Sequence, residues 1–178
     1  MEQNSSTVIT LRDGLTVGIY ATTYGTEDMD DLVAEITAMK EQGVDVIIYA
    51  AHWGAELSYR ISDLQEKQAH AAIDAGANIV YGSHPHVLQP IEKYKDGIIY
   101  YSLGNFSFGG NGGPRDKDTV IIQQEVICKG DGSVELGRLV TIPCCISSDK
   151  YVNNYQPTPY AVDSPGYTRA LRKLSGTF

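Results

Sequence analysis

Apolar positions in this chain alternate between short continuous runs and stripes at helical spacing. Thr16–Ala21 (TVGIYA) predicts a strand, and the polar stretch TTYGTED after it predicts a loop. From Asp28 to Gln42, Leu32, Ile36 and Met39 recur at helical spacing. Asp28, Asp30 and Asp31 load the first turn of that helix with negative charge, and Gly43 suits its C-terminal cap. Val44–Ala51 is an apolar run, as expected of a strand covered on both faces. Ser62–Ala75 predicts a second helix, opened by the capping-box pattern S-D-L-Q, striped by Ala69, Ala72 and Ile73, and ended by Gly76. Asn78–Gly82 is the third strand. The order β-α-β-α-β predicts three parallel strands with right-handed crossovers.

The pattern then changes. Pro90–Tyr94 and Ile98–Leu103, joined by Lys95-Asp96-Gly97, predict a hairpin. Asn105 to Pro114 is a glycine-rich loop. Thr119–Cys128 and Val134–Ile142 predict a second hairpin. From Pro143 onward periodicity fades, with one terminal helical turn expected at Arg169–Leu174. The fold class is therefore α/β, with a mixed sheet in which a parallel βαβαβ unit is followed by antiparallel hairpins. Residues 1–146 form the domain and 147–178 an irregular tail packed on it.

The candidate chemistry lies where strands end. His52 follows the second strand; His84 and His86 follow the third. Parallel strands joined by one helix end on the same sheet edge, where open α/β sheets bind ligands. Neighbouring strands lie about 4.8 Å apart, so the three imidazoles can converge on one metal site. Glu56 is a general acid, a partner that orients His52, a substrate contact or a solvated glutamate. Asn105 caps a turn or touches substrate. Trp53 walls the site or packs in the core. Gly82 and Gly104 allow tight turns nearby. His70, on the second helix and in no motif, reads as structural, and Tyr151, Tyr155 and Tyr160 as cover for a sheet.

Composition narrows the classes. A chain of 178 residues, 42% hydrophobic, fits one domain with an ordinary core. A net charge of −8 argues against a nucleic-acid partner held by bulk charge. No apolar run approaches the roughly 18–20 residues of a membrane helix, and MEQNSSTVIT has neither the basic nor the apolar region of a signal peptide. Cys128, Cys144 and Cys145 include no CxxC pair, which argues against a structural zinc site; they read as buried thiols, with a Cys128 link to one of the vicinal pair left open.

HWGAE (His52–Glu56), GSHPHVLQPIE (Gly82–Glu92) and YSLGNF (Tyr101–Phe106), with Val17–Gly25 and NNYQPTPY (Asn153–Tyr160), resemble the CapA family of poly-γ-glutamate capsule biosynthesis proteins. That family looks like a branch of the calcineurin-like metallophosphatases. The resemblance implies about half of a four-layer αββα domain and, in the intact domain, two divalent metal ions (Mn, Zn or Fe). It implies that His52 and His84 bind one ion and His86 the other. The superfamily's Asp-rich motif, bridging Asp and Asn-His motif have no counterpart upstream of Val44. The chain thus resembles a C-terminal half, whose metal binding alone is expected to be weak or absent. Its expected partners are the missing N-terminal half or an oligomeric copy, and a polyanionic or peptide-like cell-surface polymer. The implied setting of the intact protein is extracytoplasmic or at the cell surface. The implied reaction is metal-assisted hydrolysis or transfer at an ester or amide-type bond. The alternatives are a non-catalytic assembly or polymer-binding factor and a fragment that folds only with its other half.

Overall fold

The structure, a computed structural model, describes residues 4–23, 29–109 and 113–177. Asp28 and the middle of the glycine-rich loop lie outside the described residues. The elements are β1 (Ser5–Thr10), β2 (Thr16–Thr23), α1 (Met29–Glu41), β3 (Val46–His52), α2 (Asp63–Ala75), β4 (Ile79–Ser83), β5 (Ile91–Tyr94), β6 (Gly97–Tyr100), β7 (Asp118–Cys128), β8 (Val134–Cys145), β9 (Thr158–Pro159) and α3 (Pro165–Leu174).

A six-stranded sheet runs β1-β2-β3-β4-β6-β5, and a second sheet runs β7-β8-β9. Strands β2, β3, β4 and β6 are parallel, while β1 and β5 are antiparallel edges. The mixed α/β architecture agrees with part of a metallophosphatase-like domain. Both helices pack on one face, where Leu32, Ile36 and Met39 of α1 and Ala69, Ala72 and Ile73 of α2 meet Tyr20, Ile47, Tyr49 and Val80. The capping box at Ser62 and Gln65 forms, and Gly76 closes α2 at φ +126°. On the other face Val17, Ile19, Ile48, Ala50 and Ile79 are only half-buried, and Tyr81 is 41% exposed. That face carries no helical layer among the described residues.

One segment is added to the sequence reading, and two expectations need correction. The N-terminal segment, left unassigned above, is regular: SSTVIT forms β1, paired with β2 across the turn at Asp13-Gly14. Its β-branched residues and the Asp-Gly pair are the local signal. The tail is not irregular: Ser164 caps a ten-residue helix, α3, with Pro165 at its start. Helix α3 packs Ala170 and Leu174 against Leu88 and Val120. Last, the cysteines are not all buried thiols: Cys144 is buried, Cys145 half-buried and Cys128 exposed, and the Cys128 link to the vicinal pair, open from the sequence, does not form. Cys128 pairs with Val134 at one end of the ribbon, whereas Cys144 pairs with Thr119 at the other. Nine residue steps along β7 separate these ends, about 30 Å, far beyond disulfide reach.

A buried ion network fastens α3 to the start of β7. Lys173 Nζ lies 2.5 Å from Asp116 Oδ2 and 2.7 Å from Asp118 Oδ2. Arg169 donates two bonds to Asp118, at 2.7 and 2.6 Å, and Tyr160 donates a third at 2.7 Å. Tyr59 donates to Asp116 at 2.8 Å. Burial pushes the Asp118 carboxyl up, but the bonds from Arg169, Lys173 and Tyr160 outweigh it and hold it below the usual range.

Candidate metal centre

Strands β3 and β4 are adjacent and parallel, and His52 at the end of β3 stands opposite Ser83 at the end of β4. His84 follows at once, and its ring centre lies 4.6 Å from that of His52. The His84 and His86 rings are 6.0 Å apart. The structure therefore brings the three histidines to one place at the carboxyl edge.

The three ligand atoms that meet within reach of one ion include a different third member. One ligand atom each from Glu56, His84 and His86 lies within 4.8 Å of the other two. Glu56 does not orient His52; the Nδ1 of His52 faces Ser83 Oγ at 3.2 Å instead. Glu56 reaches the histidines because its loop is folded back onto theirs. Trp53 N–H donates to Ser83 O at 3.0 Å, and Leu57 N–H donates to Pro85 O at 2.8 Å. Gln89, fully buried, braces the same loop by donating to Ser58 O at 2.9 Å and Arg60 O at 3.1 Å while accepting from Gln65 at 2.9 Å.

Two orientation devices stand out. Asn105, 6% exposed, accepts at Oδ1 from His86 Nδ1 at 2.7 Å and donates back to His86 O at 3.3 Å. With Nδ1–H so engaged, the lone pair of His86 lies on Nε2. Asn105 thus positions an imidazole, a role that turn spacing alone does not reveal. Gly82 is required for close approach rather than for a turn: a Cβ there would lie 2.1 Å from Tyr101 O and 2.4 Å from Trp53 Nε1. Trp53 Nε1–H donates to that same Tyr101 O at 2.9 Å, so Trp53 is a buried brace beneath the site.

Backbone strain concentrates here. Leu57, His84 and His86 adopt φ of +59°, +97° and +59°. Each such non-glycine residue costs on the order of 1–3 kcal/mol, and such costs persist where surrounding structure imposes them. Burial and the neighbouring His84 and His86 also press the His52 imidazole below its ordinary pKa, which favours the neutral ring. A cavity of about 430 Å³ opens beside the cluster, with Glu56, His86, Asn105, Phe108, Arg115 and Asp116 among its lining residues.

The donor set fits a divalent transition metal. Two imidazoles and a carboxylate suit Zn, Mn or Fe. Adjusting three ligand atoms that lie within 4.8 Å of one another to a common ion needs only small side-chain rotations. No further carboxylate joins this cluster among the described residues. Asp116 on the pocket wall is engaged by Lys173.

An α/β sheet with an imidazole–carboxylate cluster on strained loops at its carboxyl edge defines the class. The sequence model of the family "Bacterial capsule synthesis protein PGA_cap" matches residues 2–110, and the chain belongs to that family. The capsule biosynthesis protein CapA of Bacillus anthracis is 40% identical over 110 residues, which cover 60% of this chain and 26% of that protein. The PGA biosynthesis protein CapA of Bacillus subtilis (strain 168) is 42% identical over 92 residues, covering 52% and 24%. A probable polyglutamine synthesis accessory protein of Mycobacterium tuberculosis is 37% identical over 76 residues, covering 43% and 20%. The matched stretch thus spans about a quarter of the first two relatives. No helix among the described residues is long and apolar enough to cross a membrane.

Proposed function

We propose that this chain carries the C-terminal part of a metal-dependent hydrolase or transferase site acting in capsule-polymer biosynthesis at the cell surface. The observation that carries the reading is the Glu56–His84–His86 cluster, assembled at an energetic cost on strained loops beside an open cavity. The names of the relatives support the polymer assignment. A bound divalent ion would supply Lewis acidity and an activated water. The chain's own residues do the rest: His84, His86 and Glu56 hold the ion, Asn105 fixes the ring of His86, and the neutral ring of His52 stands next to His84. A second ion needs a carboxylate that this cluster lacks, so one ion held with modest affinity is the expected state. The half-buried apolar face of the large sheet fits further protein, either more of the same polypeptide or a second copy.

The lack of that carboxylate also favours a second reading, an assembly factor that binds metal or polymer without turnover. Titration with Mn²⁺ and Zn²⁺, followed calorimetrically, tests the site. The expected result is one equivalent bound, with affinity lowered about 100-fold or more by either Glu56→Gln or His86→Ala, since loss of a direct ligand exceeds loss of an outer partner. Parental affinity in both variants would remove the site, and two tightly held equivalents would remove the half-site reading. Hydrolysis of a model phosphodiester by the metal-loaded protein would separate enzyme from assembly factor.

A further inference from the structure

The cavity beside the cluster has an unevenly charged wall. Asp116, in the wall, is met internally by Lys173, which together with Arg169 also meets the neighbouring Asp118. The pairing leaves that part of the wall close to neutral. Arg115 is the next residue, lines the cavity and is exposed. No described residue forms an ion pair or hydrogen bond with its guanidinium. It is the only arginine or lysine among the described lining residues, in a chain whose net charge is −8. Leu57, Phe108 and Pro114 give the same cavity apolar surface. At about 430 Å³ it has room for one or two units of a chain molecule.

We propose that Arg115 determines specificity, selecting a substrate unit that presents a short apolar stem ending in an oxyanion, a carboxylate or a phosphoryl group. This rests on the metal-site reading, because the bond acted on would lie toward Glu56 and His86 while the oxyanion lies toward Arg115. The planar fork of a guanidinium matches both kinds of oxyanion with two parallel hydrogen bonds. The segment after residue 110, beyond the family match, thereby acquires a role: α3, through Lys173, neutralises Asp116 of the wall and leaves Arg115 as its working charge.

The test is calorimetric binding of three probes: an end-blocked glutamate tripeptide, inorganic phosphate, and an end-blocked glutamine tripeptide as the uncharged control. Each is measured on the full chain with and without Zn²⁺. Arg115→Gln should weaken binding of at least one oxyanion probe about tenfold, the scale of a hydrogen bond to a charged group. Arg115→Lys should recover part of the loss. Arg138→Gln, the same charge change out on the β7–β8 ribbon, should have no effect. The stronger of the two oxyanion probes identifies the group selected. Unchanged binding in Arg115→Gln, equal loss in Arg138→Gln, equal binding of the glutamine peptide, or no parental binding at millimolar concentration would each overturn the proposal. An Arg115 effect that is present without Zn²⁺, in a chain that binds no metal, would keep this proposal and remove the metal-site reading.

Discussion

The two sides of the cavity are built on opposite principles. On one side, Glu56, His84 and His86 sit on loops, two of them at left-handed backbone angles that a non-glycine residue avoids. On the other, Asp118 begins a regular strand two residues after Asp116, and the pair is locked to Lys173 and Arg169 of a regular helix. The aspartate side satisfies its charges internally and gains stability from doing so. The histidine side holds strain and keeps ligand atoms pointed at one another. Such strain at a site is informative because the same loops could relax if nothing required their geometry.

The largest expected effect comes from unlocking the aspartate side. Lys173→Met leaves buried Asp118 with Arg169 as its one cationic partner and buried Asp116 with none, and should destabilise the fold by about 3–5 kcal/mol, as loss of one member of a buried ion set does. Urea denaturation measures it. Acid should reveal the same network in the parent protein. The Asp118 carboxyl titrates below its unfolded value of 3.8. Its contribution is therefore complete above that pH and is lost as pH falls through the lower folded value. In Lys173→Met the acid-induced loss should be smaller. A variant as stable as the parent would mean that the two sides do not differ in the way described.

On the histidine side the signs should reverse. His84→Gly removes a side chain held at φ +97°, a conformation that glycine adopts freely. Relief of strain should offset the chain entropy that glycine adds, giving a net change between zero and about 1 kcal/mol of added stability. Metal affinity should fall by about 100-fold or more, since a direct ligand is lost rather than an outer partner. Thermal melts and metal titration of the same sample read both quantities. A variant that loses stability while keeping its metal would show that His84 is a packing residue.

The contrast between the two sides also explains what the sequence made legible. Three histidines at strand ends could be placed together from local patterns alone, because parallel register carries strand ends to a common edge. Glu56 could not be assigned to the same cluster, since that depends on Leu57 meeting Pro85 and on Gln89 bracing residues 58–60. Asn105 read as a turn cap or a substrate contact, not as the partner of His86, because its bond to His86 spans 19 residues. The aspartate side was invisible for the same reason: Lys173 and Asp116 are 57 residues apart, and no spacing rule links them. Local cues did exist for β1 and for α3, in a β-branched run and a Ser-Pro helix start, but the polar surroundings hid them.

The smallest effect on metal is expected at a second cluster that resembles the first by composition. Glu66, His70 and Glu92 also bring ligand atoms within 4.8 Å of one another. Here, however, the histidine lies on a regular helix and is already engaged. His70 Nε2 meets Glu92 Oε1 at 3.0 Å, its ring stacks on Tyr94 at 3.7 Å, and Tyr101 donates to the other oxygen of Glu92 at 2.7 Å. Neither His70 nor Glu92 has a left-handed backbone, so no strain marks the place. This is how a histidine and two glutamates look when they hold the fold together. His70→Ala should cost about 1–2 kcal/mol through the lost hydrogen bond and stacking contact. It should change metal affinity by less than about threefold, as expected of a residue that shares no partner with the ligands. The same titration that follows His84→Gly decides the matter: if His70→Ala sheds an equivalent of metal, composition rather than backbone strain defines a site in this fold.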